Sequence, residues 1–383
     1  MNILWLAPIP IINNKDTHPA PWVMTLATAL VENGHSLTII NYNSNIEKKK
    51  IEINYKNIKL VYLKTPKLKL NFLTLYRLKI KIVREYLKNI ITNFDILHIH
   101  GTEHQYEVMA HDLKIPKVVS IQGIMNECIK YVPRYKIKQL MEWKLSALYE
   151  SFYIPKNKYY SCRTKWDSEI IGTKNPKAKI YMIWEMIRNE FFTDHFSTIK
   201  KNILFVGGKN EIKGLSELLI AYNNSLQKLG LKLIILGKCG IKDIQKIIFE
   251  KELKYIDIDN IDCRGMQDTS GMLKAYDDSF CLVHPTYIDN SPNSVCEAQI
   301  AGLPVIATAV GGVPSLIDDR ITGIIISNDV REIEKAVVEL YSDDDLWSKI
   351  SETSKSVARS RHDPEKILDQ TLVMYKEIIE ESK

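Results

Sequence analysis

Short apolar runs alternate with longer amphipathic stretches along almost the whole chain. Residues 2–6 (Asn-Ile-Leu-Trp-Leu) read as a buried strand, 22–33 as a helix ended by Gly34, and 36–41 as the next strand. The rhythm returns with strands over 94–98, 117–121, 202–206, 231–236, 261–263, 280–283 and 323–326. Strands that alternate with helices in this way predict α/β architecture, with parallel sheets covered by helices. Arg163-Thr164-Lys165-Trp166-Asp167 opens a helix capped by Thr164 or Ser161. Over 364–379, Ile367, Leu368, Leu372, Tyr375 and Ile378 recur at helical spacing, a packing stripe. At 383 residues the chain suits two domains. A short polar stretch at about 193–201 is the expected boundary, which gives domains 1–195 and 196–363 and a final helix 364–383. No solenoid repeat or low-complexity tract is present.

The densest chemistry follows the 280–283 strand, in His284-Pro285-Thr286-Tyr287-Ile288-Asp289-Asn290-Ser291-Pro292-Asn293-Ser294-Val295-Cys296-Glu297-Ala298. It continues through Gly302-Leu303-Pro304-Val305 to Gly311-Gly312-Val313-Pro314. The pattern predicts a helix capped at Ser291 with Pro292 at the first helical position. Such a start offers unpaired N–H groups and a positive dipole end to a phosphate. Asp289 and Glu297 bracket it; carboxylates repel phosphate, so their expected partners are ribose or hexose hydroxyls. Phosphate donors between two hydroxyl acceptors suit a nucleotide-sugar. A second phosphate-type site follows the 202–206 strand, in Gly207-Gly208-Lys209-Asn210-Glu211-Ile212-Lys213-Gly214. His98-Ile99-His100-Gly101-Thr102-Glu103-His104 ends another strand, where ligands of open α/β sheets gather.

In these residues the chain resembles the retaining glycosyltransferase group 1 family, with its acid-x7-acid signature. Asp289 stands where that family usually has Glu, and Glu297, Pro292, the Gly-Leu-Pro-Val strand and the Gly-Gly-Val-Pro turn fall in register. The resemblance implies two Rossmann-like domains facing across a cleft (the GT-B arrangement), an acceptor-side domain first and a nucleotide-sugar domain second. The last helix then packs back on the first domain. Lys213-Gly214 fit the family's Gly-Arg-x4-Lys-Gly pattern, but Gly208 occupies the arginine position. Lys209 would substitute there as a point charge, without the bidentate fork. The first loop (13–19) lacks the family's glycines; either Lys15 or His18 supplies a phosphate contact or the loop has no ligand role. Gln122 sits where relatives often have a histidine, and it can hydrogen-bond but not titrate. His100 or Glu103 would line the cleft, and Arg264 or Met266 would approach the base.

What the resemblance implies is hexosyl transfer from a UDP- or GDP-sugar to a glycan or lipid-linked precursor of envelope or capsular polysaccharide. No metal and no cofactor beyond that co-substrate is expected. Lys213, Lys209 and the backbone amides near Asn290, Ser291 and Pro292 would stabilise the departing diphosphate, with Gly207 and Gly208 in the donor-binding turn. Glu297 would hold the ribose and Asp289 the donor sugar.

Composition narrows this further. The apolar (45%) and charged (26%) fractions are those of a soluble globular protein, and no apolar run approaches a membrane span. The start carries two prolines and no basic n-region, so it reads as a strand rather than a signal peptide. Six cysteines at 128, 162, 239, 263, 281 and 296 show no Cys-x-x-Cys pairing, which fits buried thiols in a reducing cytoplasm. The net charge of +6 is concentrated: residues 48–88 hold thirteen Lys or Arg against Glu52 and Glu85, interleaved with apolar residues. That segment is either a solvated face or a contact to the inner face of the cell membrane. No nucleic-acid module accompanies it. The rival readings are a non-catalytic sugar-nucleotide-binding subunit, a sugar-nucleotide epimerase and a dinucleotide oxidoreductase. The last would need a Gly-x-Gly-x-x-Gly turn after the first strand, and none exists.

Overall fold

The structure is a computed structural model that describes residues 1–12, 20–193 and 202–383. The chain divides into two compact units, Met1–Met186 with Pro364–Lys383, and Ile187–Asp363. The division precedes the expected 195/196 boundary because a turn of 3-10 helix, Asn189–Phe192, seats Phe191 in the second unit. The Phe191 ring lies 5.7 Å from that of Tyr276, and burial of such a ring outweighs the polar sequence that follows it.

In the first unit the strands are β1 (Asn2–Leu6), β2 (Ser36–Asn43), β3 (Lys50–Tyr55), β4 (Ile58–Lys64), β5 (Ile96–His100), β6 (Lys117–Ser120), β7 (Tyr159–Cys162) and β8 (Lys179–Met182). They form one sheet in the order β3-β4-β2-β1-β5-β6-β7-β8, parallel except for the β3–β4 pair. Side chains alternate across β1. Ile3 and Trp5 enter one core with helix Pro21–Glu32, and Leu4 and Leu6 enter the other with helix Arg77–Ile90. The helix Pro364–Glu380 belongs to this unit, burying Ile367, Leu368, Met374, Tyr375 and Ile378 against the Trp5 face. Tyr375 closes the contact with polar chemistry: Trp5 Nε1 donates to its hydroxyl at 3.1 Å, and His98 Nδ1 lies 2.5 Å away.

The second unit contains β9 (Asn202–Val206), β10 (Lys232–Leu236), β11 (Ile261–Gly265), β12 (Cys281–His284), β13 (Val305–Thr308) and β14 (Ile324–Ile326). All pair in parallel, in the order β11-β10-β9-β12-β13-β14. Strand order reverses between β9 and β12, so the loops leaving their carboxyl ends diverge and leave a crevice, the usual place for a ligand in such sheets.

Candidate functional site

The β9 loop owes its shape to its glycines. A Cβ on Gly207 would fall 2.7 Å from Lys213 Cβ, so the lysine stem lies across bare backbone. Gly208 has φ +56° and abuts the neighbouring β10 loop, where a Cβ would come 2.6 Å from the Lys238 nitrogen. Both amides donate to the Leu236 carbonyl, at 3.1 and 2.9 Å. This close approach leaves no room for a side chain at 208. The turn Glu211–Lys213 then ends in Gly214, at φ +77° against the Pro285 carbonyl.

The β9 and β12 loops are joined by hydrogen bonds. The Ile212 carbonyl accepts from Thr286 Oγ1 at 3.0 Å and from the Tyr287 amide at 2.8 Å. That registry brings Lys213 Nζ onto Asp289 Oδ2 as an ion pair, with side chains 26% and 18% exposed. His284 Nε2 lies 3.1 Å from the same oxygen. Burial would push the Asp289 carboxyl upward, but the Lys213 ammonium and His284 override it and hold the group well below the usual carboxylate range. Burial depresses His284, so the neutral imidazole donates from Nε2 while its buried Nδ1 has no hydrogen-bond partner. The Gly-Gly-Val-Pro turn holds the Asp289 backbone: the Gly312 amide donates to the Asp289 carbonyl at 2.9 Å, and Gly311 has no room for a Cβ against it.

The following helix spans Asn293–Ala301, with Pro292 as its N-cap and no side-chain cap. The expected Ser291 cap is therefore corrected by one residue. The Pro292 carbonyl accepts from Val295 and Cys296, while Ser291 Oγ lies 3.9 Å from Cys296 Sγ. Glu297 sits one turn into this helix, 3% exposed. Arg188 Nη2 donates to its Oε1 at 2.8 Å and Tyr276 OH to its Oε2 at 3.1 Å. Burial raises the carboxyl, and Arg188 and Tyr276 oppose that rise. Arg188 is itself held, by Thr269 Oγ1 at 2.8 Å and by the Phe191 ring at 4.7 Å. Sequence reasoning passed over Arg188 as a site residue, because its partner is 109 positions away with no shared motif.

The structure thus gathers Gly207, Gly208, Lys213, Asp289, Asn290, Ser291 and Pro292 at the β9/β12 crevice, with Glu297 in the helix that leaves it. Others are engaged elsewhere. Lys209 pairs with Asp243 at 2.8 Å on the surface. Arg264 pairs with Asp262 at 2.7 Å and Asp278 at 2.8 Å, and Met266 is 64% exposed at the end of β11.

In the first unit, Lys15 and His18 lie outside the described residues. Strand β5 begins two residues later than expected, which places His100 inside it. His100 is a core side chain rather than a cleft-lining one: it stacks 4.1 Å from His98 and 4.3 Å from Trp5, buried, with Nε2 unpartnered. Glu103 does sit at the strand end, accepting from the Gly123 amide at 2.7 Å, and burial lifts its carboxyl to about 7. Gln122 packs beside it: a Cβ on Gly101 would meet both side chains. Among the described residues no group of three His, Cys, Asp or Glu side chains is placed to share a metal ion.

Two parallel-sheet units of this topology define the GT-B class of α/β fold. Sucrose-phosphate synthase from Thermosynechococcus elongatus superposes with TM-score 0.80 at 14% identity, covering 99% of both chains. The Anabaena HepE structure in complex with UDP and glucose gives 0.70 at 12% identity, covering 98% of this chain and 99% of that one. Residues 200–343 match the family described as Glycosyl transferases group 1. An uncharacterized glycosyltransferase of Methanocaldococcus jannaschii is 22% identical over 378 residues, 92% of each chain. The chain is similar to glycosyltransferases along most of its length, and its match to the group 1 family covers residues 200–343.

Proposed function

We propose that this protein moves a hexose from a UDP- or GDP-sugar, with retention and without a metal, to a glycan precursor of envelope or capsular polysaccharide, in the cytoplasm. The observation that carries this reading is the Lys213–Asp289–His284 constellation at the β9/β12 strand reversal. Asp289 spends Oδ2 on Lys213 and His284, which leaves Oδ1, where the Asn290 amide donates at 3.2 Å, to take a sugar hydroxyl. Lys213, fixed by the same carboxylate, is the cation that offsets charge on the departing diphosphate. The two further lone pairs of the Glu297 carboxylate remain for ribose hydroxyls after Arg188 and Tyr276 have each taken one. A neighbouring fold that holds UDP and glucose supports a uridine donor for testing first.

The test is a thermal-shift screen of UDP, GDP, ADP, CMP and their sugars in EDTA, on wild type and Glu297→Ala. A ligand at about a hundred times its dissociation constant adds roughly 2.7 kcal/mol, which raises Tm by at least about 2–4 °C for a unit of this size. One diphosphate should give this shift, and Glu297→Ala should lose it. The anomeric coupling of the transferred sugar, read by NMR, then decides retention against inversion. No shift with any nucleotide removes the reading.

A further inference from the structure

The basic segment 48–88 is broken up by the fold, and only part of it faces outward as an apolar surface. Lys50 and Lys59 are paired with Glu52, at 2.7 and 3.1 Å, on β3 and β4. The helix Arg77–Ile90 turns Ile80, Val83 and Leu87 into the core. What remains is the short helix Leu68–Leu73, which meets a helix that the basic segment does not include, Ile137–Tyr153. Between them lies a groove of about 660 Å³ lined by Leu68, Phe72, Leu73, Ile137 and Met141, with Lys69, Lys138 and Glu142 at its edge.

We propose that this surface docks the first unit onto an anionic lipid bilayer. Leu73 is 71% exposed, and Ile137, Met141, Leu148 and Phe152 are 46–67% exposed. At about 100° per residue, those four fall within roughly 60° of helix circumference, one stripe along Ile137–Tyr153. The charge around the stripe is predominantly positive. Residues 64–81 carry six Lys or Arg and no acid, of which only Lys79 is buried, and 130–144 carry five against Glu142. Lys156 also stands 3.3 Å over the Phe152 ring. Protein interfaces are depleted in lysine and centre on Trp, Tyr and Arg. Leucine, isoleucine and phenylalanine rimmed by lysine is instead the composition of helices that lie in a lipid interface, their stems reaching along the apolar surface to the headgroups. No described helix is long and apolar enough to cross the membrane, so the contact is peripheral. It requires no donor sugar and goes beyond the transfer reaction proposed above.

The experiment is co-sedimentation of the full chain with phosphatidylcholine vesicles, with and without about 30% phosphatidylglycerol. Binding is expected with the anionic vesicles, falling steeply as salt shortens the reach of the charges. Lys69→Gln/Lys138→Gln should weaken partitioning about fivefold per lysine. Leu73→Glu/Ile137→Glu should abolish it, while donor hydrolysis in vesicle-free buffer and the melting temperature stay at wild-type values. Absence of binding to the anionic vesicles overturns the proposal, as does partitioning unchanged in Leu73→Glu/Ile137→Glu. So does a wild-type dimer in light scattering that this variant converts to monomer, which would make the surface a contact between copies. Loss of donor hydrolysis in wild type bears only on the transfer reaction.

Discussion

Replacing Arg188 with methionine isolates the value of the ion pair with Glu297. The two side chains are 15% and 4% exposed and meet at 2.8 Å. At about 4 Å between charge centres and an effective dielectric near 20, their attraction is about 4 kcal/mol. Removing one partner of a buried pair costs about 3–5 kcal/mol, because the survivor is left charged without compensation. Every tenfold change corresponds to about 1.4 kcal/mol, so opening of the second unit should become roughly a hundred to several thousand times more frequent. Hydrogen exchange of peptides covering 293–301 reads this directly and assumes no two-state unfolding of the whole chain. The sign with pH follows from Glu297, whose carboxyl is already raised by burial and rises further without Arg188. A raised carboxyl in the folded state gives stability that is present below the unfolded value and is lost as pH climbs towards the folded one. The Arg188→Met defect should therefore be smaller at pH 5 than at pH 8. Arg188→Met/Glu297→Gln leaves no charge behind and should recover most of the protection. Exchange within a few-fold of wild type at pH 8, or a double variant no better than the single, refutes the reasoning.

Three other outcomes are expected. Gly208→Arg, which supplies the arginine of the resembled Gly-Arg-x4-Lys-Gly pattern, should cost about 1–3 kcal/mol in urea titrations and improve no nucleotide affinity, since φ is +56° and Lys238 backbone fills the space. Lys213→Met should lower donor hydrolysis about 10²–10³-fold by removing one fixed cation, and an unchanged rate would detach Lys213 from the chemistry. Glu103 is held at about 7 by burial, so its contribution to stability is present near pH 4.5 and lost as pH rises through 7. Glu103→Gln should match wild type at pH 5 and exceed it at pH 8 by up to about 3 kcal/mol, less whatever solvent screening removes.

Much of this fold was legible because buried parallel strands are written locally, as in residues 2–6 and 202–206. Errors arose where a residue's role depends on a distant partner. Phe94 and Asp95 looked like strand, yet Asp95 Oδ2 accepts from the Asn2 amide at 2.6 Å and the strand starts after it. Of the two candidates for the cleft, His100 and Glu103, His100 stacks on Trp5 and His98 and belongs to the core. Ser291 before Pro292 reads as a cap, but the Asp289 carbonyl is pinned by Gly312, and the helix begins late. Lys213, Asp289 and Glu297 were legible as a set because their motifs flank adjacent strands. Arg188 carried no such mark.

The C-terminal helix has a consequence for biosynthesis. Trp5 is made well before its partner Tyr375, which follows 370 positions later. Ile187–Asp363 is inserted between them and has all its strands in one continuous segment. At ribosomal speeds of about 5–20 residues per second, the first unit waits roughly ten to thirty-five seconds for its final helix while the inserted unit is synthesised. During that interval the face that will receive Ile367, Leu368 and Tyr375 has no cover of its own chain, and chaperone engagement of nascent chains should peak there.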